Sequence, residues 1–257
     1  MSLSKPYYRI ARPKANIYEY ATDARYAIDR LQLSRAYVNI EKSLRDIFNF
    51  IEPCDENLTS FSFELYTLLL RSCTEVELNC KEILQANGAK PQGKHFTMLD
   101  YKKIEQSSHL SKYTVTYNNW RHKDSSTGQL EYVSKTFRPF QNFDSSIATS
   151  PDWYVAYNGV KHDREGKLEN ANLENCMNAV GGILVLLYSQ FGSQCIETYG
   201  TNGIYWEEMV SYDFHFDADV IFSIQPPPLT DWTEQELYDF QWNDIKSDAC
   251  PFNQFPF

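Results

Sequence analysis

Residues 59–85 place Phe61, Leu65, Leu68, Leu69, Cys73, Val76, Cys80, Ile83 and Leu84 at intervals of three and four, a pattern that makes one continuous apolar stripe only on a helix. Asn87-Gly88 follows at once, and glycine accepts the left-handed backbone that ends a helix. A helix this long with a single apolar stripe needs other elements to cover it, so the chain is expected to be a helical bundle. The first cover lies just upstream. From about residue 23 to 51 the pattern is again helical, with Leu44, Ile47, Phe48 and Ile51 on one side and Arg30, Arg35, Glu41 and Lys42 largely off it. Pro53 and Asp55-Glu56 make the turn between them, which predicts an antiparallel pair.

Further elements follow the same logic. Thr97-Met98-Leu99-Asp100 is the capped start of a short helix ending near Ser107. Tyr113 to Tyr117 and Leu130 to Phe137 are β-branched and aromatic, and Asp124 to Gly128 turns between them, so 110–140 is a β-hairpin inserted between helices. Ser150-Pro151 opens the next helix, which ends near His162, and 163–169 is a charged loop. Asn170 or Asn172 caps an apolar helix closed by Gly192, and its Gly181-Gly182 pair points to the close approach of another helix backbone. Strands are expected at 205–216 and 219–224, a capping box at Thr233 and Glu236 opens a short helix, and the aromatic tail 251–257 is expected to pack on the domain or on a second subunit. The division is an extension at 1–22, a helical domain at 23–199 carrying the hairpin, and a strand-and-tail extension at 200–257 packed on it.

Eighteen Tyr and sixteen Phe mark a folded chain. A formal net charge of −10 argues against a surface that coats nucleic acid, though not against a local basic cleft. The longest apolar run, 179–187, is too short to span a bilayer, and the first residues lack an apolar signal core. A cytoplasmic location without membrane association is the expectation. The six cysteines, at 54, 73, 80, 176, 195 and 250, form no Cys-x-x-Cys pair, and reduced thiols in the core are the favoured reading. No phosphate loop or cofactor motif is present, and no cofactor is expected.

The chemistry concentrates in Tyr157-Asn158-Gly159-Val160-Lys161-His162-Asp163-Arg164. Asn158 and His162 are four apart and share a helical face, and Lys161 reaches the same side. His162 can act as general acid or base, Asn158 can orient it or a phosphate, and Lys161 or Arg164 can supply positive charge. The plain alternative is that a lysine and a histidine simply meet the negative end of the helix dipole.

A helix pair, this segment and then an apolar helix resemble the HEPN domain superfamily over about 25–105 and 150–192. The resemblance implies a mainly α, antiparallel bundle that is commonly a homodimer. Many members are metal-independent endoribonucleases of toxin–antitoxin or phage-defence systems. Their motif is an arginine, commonly followed by a polar residue, and a histidine separated from the arginine by four to six residues. Asn158 fits the polar position and His162 the histidine, while Tyr157 stands where the arginine would.

The resemblance therefore implies a protein that binds RNA or another phosphate-bearing ligand through Tyr157, Lys161 and Arg164, with cleavage by His162 and Asn158 as its strongest form. The alternative is a non-catalytic module that binds protein partners. A third reading is a metal-dependent enzyme, because Asp213, His215, Asp217 and Asp219 would share one face of a strand. A solvated strand face is the favoured reading of those four, since no distant ligand partner is identifiable. Trp120-Arg121-His122-Lys123, expected at a solvated hairpin tip, is the remaining candidate for nucleic-acid contact.

Overall fold

The computed structural model describes residues 5–196, 221–238 and 240–257. In chain order its elements are α1 (Ile17–Tyr20), α2 (Arg30–Ile47), α3 (Phe63–Ala86), α4 (Met98–Tyr101), α5 (Glu105–Ser108), β1 (Thr114–Lys123), β2 (Leu130–Phe137), α6 (Asp152–His162), α7 (Arg164–Lys167), α8 (Leu173–Phe191), β3 (Phe222–Gln225) and α9 (Trp242–Ile245). The fold is mainly α, with one small antiparallel sheet.

The centre of the molecule is α8. Nearly every residue of it is buried, because it packs on α2, α3 and α6 and also carries all three strands. The window Leu173–Gln194 is long and apolar enough to cross a membrane by length and composition, although polar residues interrupt its apolar run; 83% of it is buried within the fold. The side chain of Asn172 caps α8 by accepting from the Asn175 amide. Ser62 does the same for α3, accepting from Leu65, and Gly88 ends it at φ +75°. The thiols of Cys73, Cys80 and Cys176 lie in this core, and burial raises the pKa of each.

Gly181 and Gly182 meet something other than a helix. A Cβ at Gly181 would stand 2.6 Å from Cγ2 of Val115 on β1, and the neighbours of Gly182 are Phe140 and Pro139. The close approach is therefore between α8 and the sheet, together with the chain leaving it. That sheet has the order β2-β1-β3, with Val115 paired to Phe137 on one side and to Ile224 on the other. The hairpin is thus completed by a strand from the C-terminal segment.

A register shift between Tyr117 and Trp120 breaks the alternation in β1 and turns the Trp120 ring inward. Trp120 packs edge-on against Phe137 and is buried, which corrects its expected place at a solvated tip. The far end of the hairpin rests on the α2–α3 turn. The Arg121 amide donates to the Pro53 carbonyl at 2.8 Å, and Lys135 pairs with Asp55 at 2.6 Å.

The described segments flanking the helical core, 5–22 and 240–257, are woven into the bundle. Residues 5–22, expected as an extension, bury Ile10, Tyr20 and Ala21, and the 6–8 segment exchanges backbone bonds with Asn253. In the tail, Phe252 is buried against Trp242. The Thr233–Glu236 capping box forms its bonds but no helix follows, only turns, and Glu236 also bonds His109.

The buried Glu41 of α2 fastens β3. Its carboxylate accepts from the Ile221 amide at 2.7 Å and from the Tyr37 hydroxyl at 3.0 Å. Burial, the largest influence, nevertheless raises its pKa above the ordinary carboxylate range, against these bonds and the nearby Arg45. The folded state therefore holds this proton more tightly than the unfolded chain does. Its contribution to stability is fully present below the unfolded pKa and is lost as pH rises through the folded one. Glu41→Gln keeps an oxygen acceptor without the charge. It is expected to raise Tm at pH 7–8 by roughly 2–4 °C, about 1 kcal/mol for a chain of this size, and to gain little at pH 4. Thermal melts across that pH range check it, and an equal or lower neutral-pH Tm would contradict the account.

Candidate ligand-binding face

The segment that carries the candidate residues is α6 and the turn after it. Pro151 precedes the first turn, and Asp152 lies where a negative charge meets the positive helix end. Trp153, Ala156, Tyr157 and Val160 form its buried side, and the Trp153 indole donates to the Pro139 carbonyl at 2.8 Å. The helix runs beside α3 in the opposite sense, as three successive neighbours show: Tyr154 meets Glu77, Lys161 lies within electrostatic reach of Cys73, and Arg164 lies over Tyr66 and Phe63.

Tyr157, in the place of the motif arginine, is buried and supplies no cation of its own; it engages Lys161 instead. Lys161 Nζ donates to the Tyr157 hydroxyl at 2.9 Å and stands 4.8 Å from the ring centroid, and that bond is the main reason its pKa is raised. One turn earlier the Tyr154 hydroxyl donates to Glu77 at 2.8 Å; burial first, then Glu77, raises its pKa.

Asn158 and His162 do lie on one side of the helix, together with Val155, and that side faces solvent. They are not joined to each other. Asn158 donates its amide to the Tyr154 carbonyl of its own helix at 3.2 Å, and no described residue bonds to the exposed His162 ring. Metal-free RNA cleavage needs a base held on the attacking hydroxyl and a cation on the developing phosphorane charge. Within one chain the described geometry orients neither.

Arg164 supplies what sequence reasoning missed. Asp163 caps α7 by accepting from the Gly166 amide, and this fold-back carries Arg164 over the start of α3. Its guanidinium stands 5.7 Å from the Phe63 centroid and 6.0 Å from that of Tyr66. Phe61 is 51% and Phe63 61% exposed, which corrects the placement of Phe61 on the core-facing stripe. The available signal was that Phe63 and Tyr66 fall outside the apolar stripe of α3, as a solvent-facing aromatic pair.

The outcome is an open aromatic and cationic patch of Phe63, Tyr66 and Arg164, with Lys161 one turn back on α6 and the exposed Phe61 and His162 next to it in sequence. Its charge is nearly balanced: Lys161, Arg164 and Lys167 are matched in number by Asp163, Glu165 and Glu169. A shallow groove between α2 and α3, lined by Ile40, Leu70, Arg71 and Glu75 among others, holds none of the candidate residues.

The remaining candidates separate from this face. Asp213, His215, Asp217 and Asp219, like the strand expected at 205–216, lie outside the described residues. Among the described residues no three His, Cys, Asp or Glu side chains gather as a metal site. Arg121 and His122 are half-buried where the hairpin meets the α2–α3 turn, and Lys123 alone of the basic three is exposed.

No family model, no curated protein and no solved structure matches this chain.

Proposed function

We propose that the chain is a non-cleaving, HEPN-like cytoplasmic module that holds single-stranded RNA, or another phosphate-bearing chain, where α3 begins and α6 ends. The observation that carries this reading is Arg164 lying over the half-open rings of Phe63 and Tyr66. Aromatic rings accept bases of any identity, and a guanidinium beside them meets phosphate. Lys161 and His162 flank the same edge. The near balance of charge around them keeps the electrostatic part small, so binding is expected to be modest and only weakly salt-dependent.

Fluorescence anisotropy with a labelled mixed-sequence single-stranded RNA, in chelator, tests it. The parent is expected to bind and to leave the RNA intact. Phe63→Ala and Arg164→Ala are each expected to weaken binding about 10-fold, within the roughly 1–3 kcal/mol of one stacked base. His162→Ala should change it less than two-fold. Cleavage by the parent that disappears in His162→Ala would restore the ribonuclease reading. An absence of RNA binding at low salt would favour the second reading, a protein-docking module. The charge balance and the exposed Phe61, Phe63 and Val155 favour that alternative, since apolar aromatics beside an arginine also compose protein interfaces.

A further inference from the structure

Five buried side-chain polar atoms find no hydrogen-bond partner among the described residues: Arg12 Nε, Tyr20 Oη, Ser72 Oγ, Trp120 Nε1 and Tyr238 Oη. Three of the five stand together. The Arg12 guanidinium lies 5.9 Å from the Tyr238 centroid, and the rings of Tyr20 and Tyr238 both rest on Phe240, at 5.2 and 6.4 Å. The Tyr20 hydroxyl is held well above its ordinary pKa, by burial first and by Tyr238 second, with Arg12 pulling the other way.

Arg12 itself is 4% exposed, donates to the Ser107 carbonyl and faces the Trp232 ring at 5.2 Å. It forms no ion pair with any described carboxylate. Glu236, on the same C-terminal segment as Trp232, is bound to His109 and to the Thr233 amide instead. A buried cation is normally paired, and buried hydroxyls and N–H groups normally have partners, so three orphaned donors around one unpaired charge point to a ligand.

We propose that Arg12, Tyr20 and Tyr238 form a binding site for one small monovalent inorganic anion of chloride size. The Arg12 Nε–H and the two hydroxyls are its donors; the Tyr238 oxygen lies near enough to Arg12 and to the Tyr7 backbone to accept weakly from them, which leaves its O–H free to donate. One negative charge offsets the guanidinium, which a neutral water would not do. A tetrahedral oxyanion fits the chemistry poorly: it brings four oxygens, while the groups around the three donors are mostly the rings of Tyr7, Tyr26, Trp232 and Phe240, with the Ser107 carbonyl and the Tyr7 backbone as the other polar neighbours. Arg12 and Tyr20 belong to the N-terminal arm, while Trp232 and Tyr238 belong to the C-terminal segment. Anion binding would therefore tie the two ends of the chain together over α5.

The test is the melting temperature of the full chain as gluconate is exchanged for chloride at constant ionic strength, gluconate being too large for the site. The parent is expected to gain roughly 3–6 °C, with saturation, as a ligand bound only by the folded state requires. Tyr20→Phe, Tyr238→Phe and their double variant each remove oxygen alone, so they should fold. The double variant is expected to lose the chloride response. A chloride response that persists there would place the ion elsewhere and overturn the proposal. A chloride-independent parent with less stable phenylalanine variants would mean a buried water instead. A chloride-independent parent with more stable variants would mean hydroxyls without any ligand, because removing an orphaned polar group relieves its desolvation.

Discussion

Gly181→Leu is expected to cost about 3 kcal/mol or more and to leave little folded protein at 37 °C, whereas Gly182→Ala should be neutral or stabilising by up to about 1 kcal/mol. The glycines are adjacent on α8, and both backbones are helical. Alanine at either site gains helix propensity, so only the surroundings separate them. At Gly181 a new Cβ would overlap Val115 Cγ2 at 2.6 Å, and Val115 is β-branched and held in the middle of the sheet between Phe137 and Ile224. At Gly182 the nearest atom is Phe140 Cζ at 3.5 Å, an ordinary contact. Gly181→Ala should fall between, losing about 1–2 kcal/mol after the propensity gain is counted. Val115→Ala should recover part of that loss in the double variant, a coupling of at least about 0.5 kcal/mol. Urea titrations of the five variants, the single Val115→Ala included, decide it. Equal effects at the two glycines would show that the sheet does not press on α8 at Gly181.

The same pair shows where sequence reasoning reaches its limit. Two glycines inside an apolar helix announce a close approach, and one exists, but their spacing carries no record of what approaches. The long helices were legible because each is amphipathic and capped by its own neighbours: Ser62 and Gly88 bracket α3, and Asn172 and Gly192 bracket α8. At α2 the expected start at 23 gives way to Arg30, since the Asp23 carboxylate accepts from the Arg25 amide and side chain and stabilises a turn there. Trp120 was misplaced for a non-local reason. The irregularity in β1 that turns it inward becomes apparent only when Val133 and Lys135 are paired across the sheet.

The candidate face was legible in part for similar reasons. Asn158 and His162 share a side because helical spacing requires it. Asn158 and Lys161 each bond one turn back within α6, to Tyr154 and Tyr157, whereas the place of Arg164 depends on how α6 sits against α3, which no local pattern encodes. Lys161 turned to Tyr157, and Arg164 reached Phe63 and Tyr66 only because Asp163 capped a new turn. Contacts across about a hundred residues of sequence are the part a single chain does not spell out.

The largest polar investment in the core is equally non-local. Gln190→Leu is expected to destabilise the protein by about 3 kcal/mol, roughly 6–12 °C in Tm. On sequence alone Gln190 is one polar residue near the end of an apolar helix, and leucine would extend the stripe. In the fold it is fully buried and joins three elements. Its Oε1 accepts from Arg9 at 3.1 Å, its Nε2 donates to Asn79 at 2.8 Å and to the Leu186 carbonyl, and its own carbonyl accepts from Tyr26 at 2.5 Å. Arg9 is itself buried, adopts φ +54°, and forms an ion pair with Asp29. Leucine would strand the Asn79 oxygen and one arm of the arginine, and a buried charged donor left without its partner costs more than a neutral one. The added apolar volume returns less than this, since the site is already filled. Asn79→Leu combined with Gln190→Leu should recover some of the loss, because the stranded oxygen then disappears together with its donor. Denaturant unfolding with an unchanged m-value would place the effect in the native state. A loss below about 0.5 kcal/mol would show that Arg9 and Asn79 re-pair without Gln190, and that the network does not hold the N-terminal arm against α3 and α8.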